Sequence, residues 1–167
     1  MTDQDASFAD GLPSNHKKLA LKADDAQGLA IISALLQDCV GKTSEIAWMP
    51  KARRFAMVVN RFRWEDPLMS TKSGDYERVR AGFHVDGVLK VRAKGFDPAA
   101  EQQVFELLDL TFEAGEDGAG TVHLTCAADA GFALEVEALD VSMADMDAVW
   151  RTDALPKHDL GEEGESA

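Results

Sequence analysis

SEIAWMPKARRFAMVVNRFRWE, residues 44–65, reads as a strand, a tight turn led by Pro50 and a long second strand, and it holds two of the chain's three Trp residues. A four-residue loop of Pro50, Lys51, Ala52 and Arg53 sets Met49 against Arg54, Trp48 against Phe55 and Ile46 against Met57. That register gathers Ile46, Trp48, Phe55, Met57 and Val59 on one face, and a slip of one residue scatters them. Beyond Val59 the apolar pattern moves to Val58, Phe62 and Trp64, while Arg61 and Arg63 continue the first face. A swap of this kind predicts a bend near Val59 or Asn60.

Upstream, KKLALK at 17–22 alternates as a short strand. Asp24, with Gln27 three residues on, has the spacing of a capping box and opens a helix to about Val40. Leu29, Ile32, Leu36 and Cys39 form its apolar stripe, and Gly41 suits its left-handed end. Downstream, YERVRAGFHVDGVLKVRAK at 76–94 reads as a second hairpin. A loop of Val85, Asp86 and Gly87 sets Phe83 against Leu89 and Ala81 against Val91. The other face of that hairpin then carries Arg78, Arg80, His84, Lys90, Arg92 and Lys94, with Arg80 opposite Arg92 and Arg78 opposite Lys94. Like charges facing each other across strands cost stability, so an anion, an acidic side chain or a partner is expected there.

Residues 105–113 alternate through Leu108, Leu110 and Phe112. A third hairpin sets Cys126 against Phe132, Leu124 against Leu134 and His123 against Glu135. Residues 144–150 fit a last helical turn that buries Met143, Met146 and Trp150. The chain thus divides into a disordered segment at 1–16, one α+β domain at 17–152 and an acidic mobile tail at 153–167. Three hairpins without a βαβ rhythm predict a mostly antiparallel sheet of about eight strands, in the form of a partly closed barrel, with one main helix near the N-terminus and a short C-terminal one.

Charge is unevenly placed in this 167-residue chain of net charge −13. Residues 42–94 hold 12 Lys and Arg against 6 Asp and Glu, whereas residues 95–167 hold 2 against 18. A basic middle inside an acidic molecule points to an acidic partner or a small anionic ligand, and the surrounding field opposes nonspecific duplex binding. Docking of one chain's basic face on another's acidic third makes a homodimer an expected arrangement. No apolar run spans a membrane, and the acidic start lacks the plan of a signal peptide. Cys39 and Cys126 sit inside apolar patterns without metal-ligand spacing, which suits a reduced, cytoplasmic setting and buried thiols.

No phosphate-binding loop, zinc motif, nucleophile elbow or calcium loop is present, so no cofactor or metal is expected and no motif names a catalytic residue. The leading reading is a non-catalytic binding or regulatory module working through Arg61, Arg63, Arg78, Arg80, His84, Lys90, Arg92 and Lys94. One alternative is a small enzyme on an anionic metabolite, with an arginine gripping the anion and His84 nearby. A weaker one is single-stranded nucleic-acid binding, which needs Trp64 or Tyr76 exposed beside Arg63 and Arg78.

LKADDAQGLAIISALLQDCVG, PKARRFAMVVNRFRWE and RVRAGFHVDGVLKVRAKG together resemble a bacterial family described as domain of unknown function 2948, over about Leu19 to Trp150. The resemblance implies a compact cytoplasmic bacterial protein and carries over no activity or site residue.

Overall fold

The computed structural model describes residues 17–66 and 76–152, with only the backbone described at 76–77 and 147–152. The segments read as a disordered start and an acidic tail lie outside the described residues, as does most of the loop after Trp64. Nine strands and one helix occur among the described residues: β1 (Ala20–Ala23), α1 (Ala26–Leu36), β2 (Val40–Met49), β3 (Arg54–Phe62), β4 (Tyr76–Asp86), β5 (Val88–Lys94), β6 (Val104–Ala114), β7 (Gly120–Cys126), β8 (Ala130–Val136) and β9 (Val141–Thr152). They form one antiparallel sheet in the order β1-β9-β4-β3-β2-β6-β7-β8-β5. The sheet is open, with β1 and β5 at its edges.

The β2–β3 hairpin has the predicted register: Ile46 faces Met57, Trp48 faces Phe55 and Met49 faces Arg54. No register break interrupts the pairing of β3 with β4 near Val59, where a bend is expected. β3 pairs with β4 without a break from Arg54 to Phe62, and burial continues along one face through Phe55, Met57, Val59 and Arg61. The apolar face does not swap; an arginine is buried instead. The irregularity falls in β2, between Gly41 and Ile46. Val40, Gly41 and Lys42 also pair with β6, and a Cβ on Gly41 would sit 2.5 Å from the Phe105 ring, so only glycine lets that ring lie against β2.

The helix is shorter than predicted. Asp25 caps it, accepting from the Gly28 N–H at 2.7 Å, and it ends at Leu36, followed by Asp38 in the left-handed region (φ 66°). Gly41 is therefore a strand residue and not a helix end. Leu29, Ile32 and Leu36 are buried, as the stripe requires.

Three other expectations are corrected. The second hairpin does not form: β4 pairs with β3 and β9, and β5 pairs with β8. Gly87 does take a positive φ (74°), but as a corner that hands the chain from one half of the sheet to the other. Residues 144–150 are not a helical turn; they lie in β9, between β1 and β4. The third hairpin keeps its apolar face but moves by two residues, so that Leu124 faces Phe132 and Cys126 faces Ala130. Its turn uses Ala128 and Asp129, both at positive φ (63° and 61°).

The sheet curls over its own core. Phe55 on β3 and Phe132 on β8 are separated by β2, β6 and β7 in the sheet, yet their rings lie 5.5 Å apart. Phe96 stacks on Phe132 at 5.0 Å and Phe105 meets it edge-on at 6.1 Å. α1 lays its buried stripe into the same contiguous cluster.

Candidate functional site

Of the eight residues singled out by charge, three are drawn inside. Arg61 follows Val59 on the inward face of β3 and is 0% exposed. Its Nε donates to Asp145 Oδ1 and its Nη2 to Asp145 Oδ2, both at 2.9 Å, while Nη1 and Nη2 donate to the Glu65 carboxylate at the same distance. Nη1 also donates to the Phe62 carbonyl. Asp145 Oδ2 further accepts from the Leu19 N–H, which ties the start of the chain to β9. An arginine tolerates such burial only when its donors are met by charge-bearing acceptors. Burial opposes the charge on Arg61, but the bonds from Glu65 and Asp145 outweigh it and hold the guanidinium above its ordinary range. Burial likewise pushes the Glu65 carboxyl up, and Arg61 more than reverses this, leaving it below its usual 4.5.

Arg63 and Arg78 close the same end of the sheet. Arg63 lies near Glu65 and Asp66, at 3.8 and 3.9 Å, and Arg78 sits over the Phe62 ring, 4.7 Å from its centroid. Both are buried. Trp64 is 43% exposed, but its ring packs on Phe62 and its indole N–H donates to the Gln37 carbonyl at 2.8 Å. The side chain of Tyr76 lies outside the described residues.

Arg80 and His84 point outward from β4. Arg80 pairs with Glu45 at 3.2 Å, and His84 Nε2 lies 3.4 Å from Asp86. The Arg54 guanidinium bonds Asp86 at 2.7 Å and holds that carboxyl below its usual 3.8. The register neighbours of His84 are Ala56 and Ser142, so it stands on an open sheet face of small side chains.

Lys90, Arg92 and Lys94 form a separate group on β5, on the outward side of an edge strand. They do not face Arg80 or Arg78; Lys90 is opposite Glu135, Arg92 opposite Ala133 and Lys94 opposite Gly131. Arg92 pairs with Glu135, and Lys94 reaches Asp129 at 3.4 Å. Lys90 has no ion-pair partner among the described residues. Register shifts between Val88 and Lys90, which leaves Leu89 52% exposed. Sequence reasoning missed the free edge, because a strand's own residues do not say which neighbour it takes. The signal that was present is the pair of like-charge contacts demanded by the predicted hairpin.

Cys39 and Cys126 are buried, and burial pushes both thiols up, Cys126 to about 11, so neither is a ready nucleophile. His123 pairs with Glu113 on β6 at 2.8 Å, not with Glu135. Among the described residues no cluster of His, Cys, Asp and Glu is arranged to hold a metal, and no helix is long and apolar enough to cross a membrane.

These features define a curled, antiparallel β-sheet protein with a helix packed into its core and an exposed basic edge. The chain belongs to the family described as protein of unknown function (DUF2948), which it matches over residues 19–158. No curated protein and no solved structure matches it.

Proposed function

We propose that this chain is a non-catalytic binding module that holds an acidic protein partner on the basic side of β5. The observation that carries this reading is the exposure of Lys90, Arg92 and Lys94 together on one edge strand, while Arg61, Arg63 and Arg78 are committed to the interior. Exposed cations at an edge contribute little to the fold, because each surface ion pair is worth only about 0–1 kcal/mol. Lys90 and the weakly held pairs of Arg92 with Glu135 and Lys94 with Asp129 can therefore turn to a partner's carboxylates. A protein partner is favoured over nucleic acid because Arg63 and Arg78 lie buried beside Phe62 and acidic neighbours, and the chain as a whole carries −13.

The test uses the full chain and a capped oligoglutamate peptide carrying a fluorophore, read by anisotropy at low and high salt. Binding that weakens with salt and is lost in the combined Lys90→Glu, Arg92→Glu and Lys94→Glu variant is the expected result. Binding that survives this reversal but is lost in Arg80→Glu moves the site to the outer face of β4 and overturns the proposal.

A further inference from the structure

The basic side of β5 is one face of a strand that also has an edge, and that edge shapes the partner. β8 occupies one side of β5, and among the described residues the sheet ends on the other. Of the free side, the Val88 N–H is used, donating to the Arg53 carbonyl at 2.9 Å. From Lys90 to Lys94 the strand runs in unbroken register with β8, without proline, and its bulge lies only at its start. Edges are usually blunted by proline, bulges or very short length. Among the described residues the bulge guards only the start of β5, and from Lys90 on the guard is the row of basic side chains, itself a common edge device.

Those side chains select what can pair. A second copy of β5 would bring Lys and Arg opposite Lys and Arg in either strand direction, a destabilising match. A strand with acidic residues at alternate positions meets the same row favourably. The other face of β5 is apolar: Val91 and Ala93 lie opposite Leu134 and Phe132. An added strand that keeps the pleat would therefore place acidic side chains outward and apolar ones inward.

We infer that the partner is taken up by strand addition: an extended segment of another protein, alternating acidic and apolar residues, hydrogen-bonds its main chain to the free edge of β5. The inference rests on the acidic-partner reading above and adds the main-chain geometry. In this mode the backbone bonds supply affinity and the alternate side chains supply specificity.

The probe is a capped peptide of alternating Glu and Val, compared with its backbone-ester analogue, which keeps the side chains and loses every N–H donor. Amide exchange of the full chain is followed with and without each. The peptide slows exchange within Leu89–Lys94, the ester analogue binds at least about tenfold more weakly, and reversal of the three basic residues weakens binding about tenfold. Equal binding of peptide and ester, still lost on charge reversal, overturns strand addition and leaves the acidic-partner reading standing. Binding indifferent to both changes overturns the two together. Edge amides already protected like those of β8 in the free chain would show the chain's own residues on the edge. Protection that grows with protein concentration would show a second copy there. Either result overturns the inference.

Discussion

Arg61 was read from the sequence as a surface cation because arginine is seldom fully buried, and what buries it here lies far along the chain. Asp145 is 84 positions away, in a stretch whose pattern resembles a helical turn. Removing Asp145 leaves a fully buried arginine with Glu65 as its one carboxylate partner and its Nε without an acceptor. Asp145→Ala is therefore expected to cost about 3–5 kcal/mol in urea denaturation, and adding Arg61→Met should recover part of that loss. Strictly additive losses would mean that the two residues act independently. Glu65 gives the pair a pH signature. Its folded value lies below the ordinary 4.5, so its contribution is complete above about that pH and fades as pH falls through the folded value. The stability gap between the natural chain and Glu65→Gln should be constant near neutrality and narrow in acid. A gap that widens in acid would contradict the arrangement.

At the scale of elements, legibility depended on how many anchors each hairpin had. β2–β3 was readable to the residue because Trp48, Phe55, Ile46 and Met57 can share a face in only one register. β7–β8 kept its face but moved by two residues, because its turn places Ala128 and Asp129 at positive φ where the sequence offers no glycine. The β4–β5 hairpin failed for a physical reason visible in advance. Its register demanded Arg80 against Arg92 and Arg78 against Lys94, and that cost was evidence against the pairing more than evidence for a ligand. The basic set inferred from that hairpin consequently divides into a buried group, an outward pair and an edge. The end of α1 carries another unfavourable contact. Asp38 lies just past the helix C-terminus, where negative charge is disfavoured, and beside Glu106, whose carboxyl is raised by burial and then by Asp38. Asparagine tolerates the same left-handed backbone without the charge. Asp38→Asn should stabilise the protein by about 0.3–1 kcal/mol, measured by the denaturation midpoint at neutral pH. A loss of stability would show that the carboxylate has a role this account lacks.

For the molecule as a whole, the two halves of the sheet share one core, and Phe132 on β8 is where Phe55, Phe96 and Phe105 converge. Phe132→Ala is expected to cost about 3–5 kcal/mol. Because Trp48 and Trp64 report on β2 and the end of β3 while circular dichroism reports on every strand, both signals should shift together in one transition. Separate midpoints would mean that the halves unfold independently. The order in which the halves are written into the chain has a consequence for synthesis. β9, the last described strand, lies between β1 and β4, and it carries Asp145, one of the two carboxylates that pair with Arg61. A ribosome delivers β1 to β4 first and then all of β5 to β8 before β9 emerges. Throughout that interval the nascent chain holds two unpaired strand edges and an arginine with Glu65 but without Asp145. Such distant pairing makes for slow closure and a long exposure to wrong partners. β6, β7 and β8, joined by short turns, can zip as they appear, whereas the half that holds both β1 and Arg61 waits for residues 141–152.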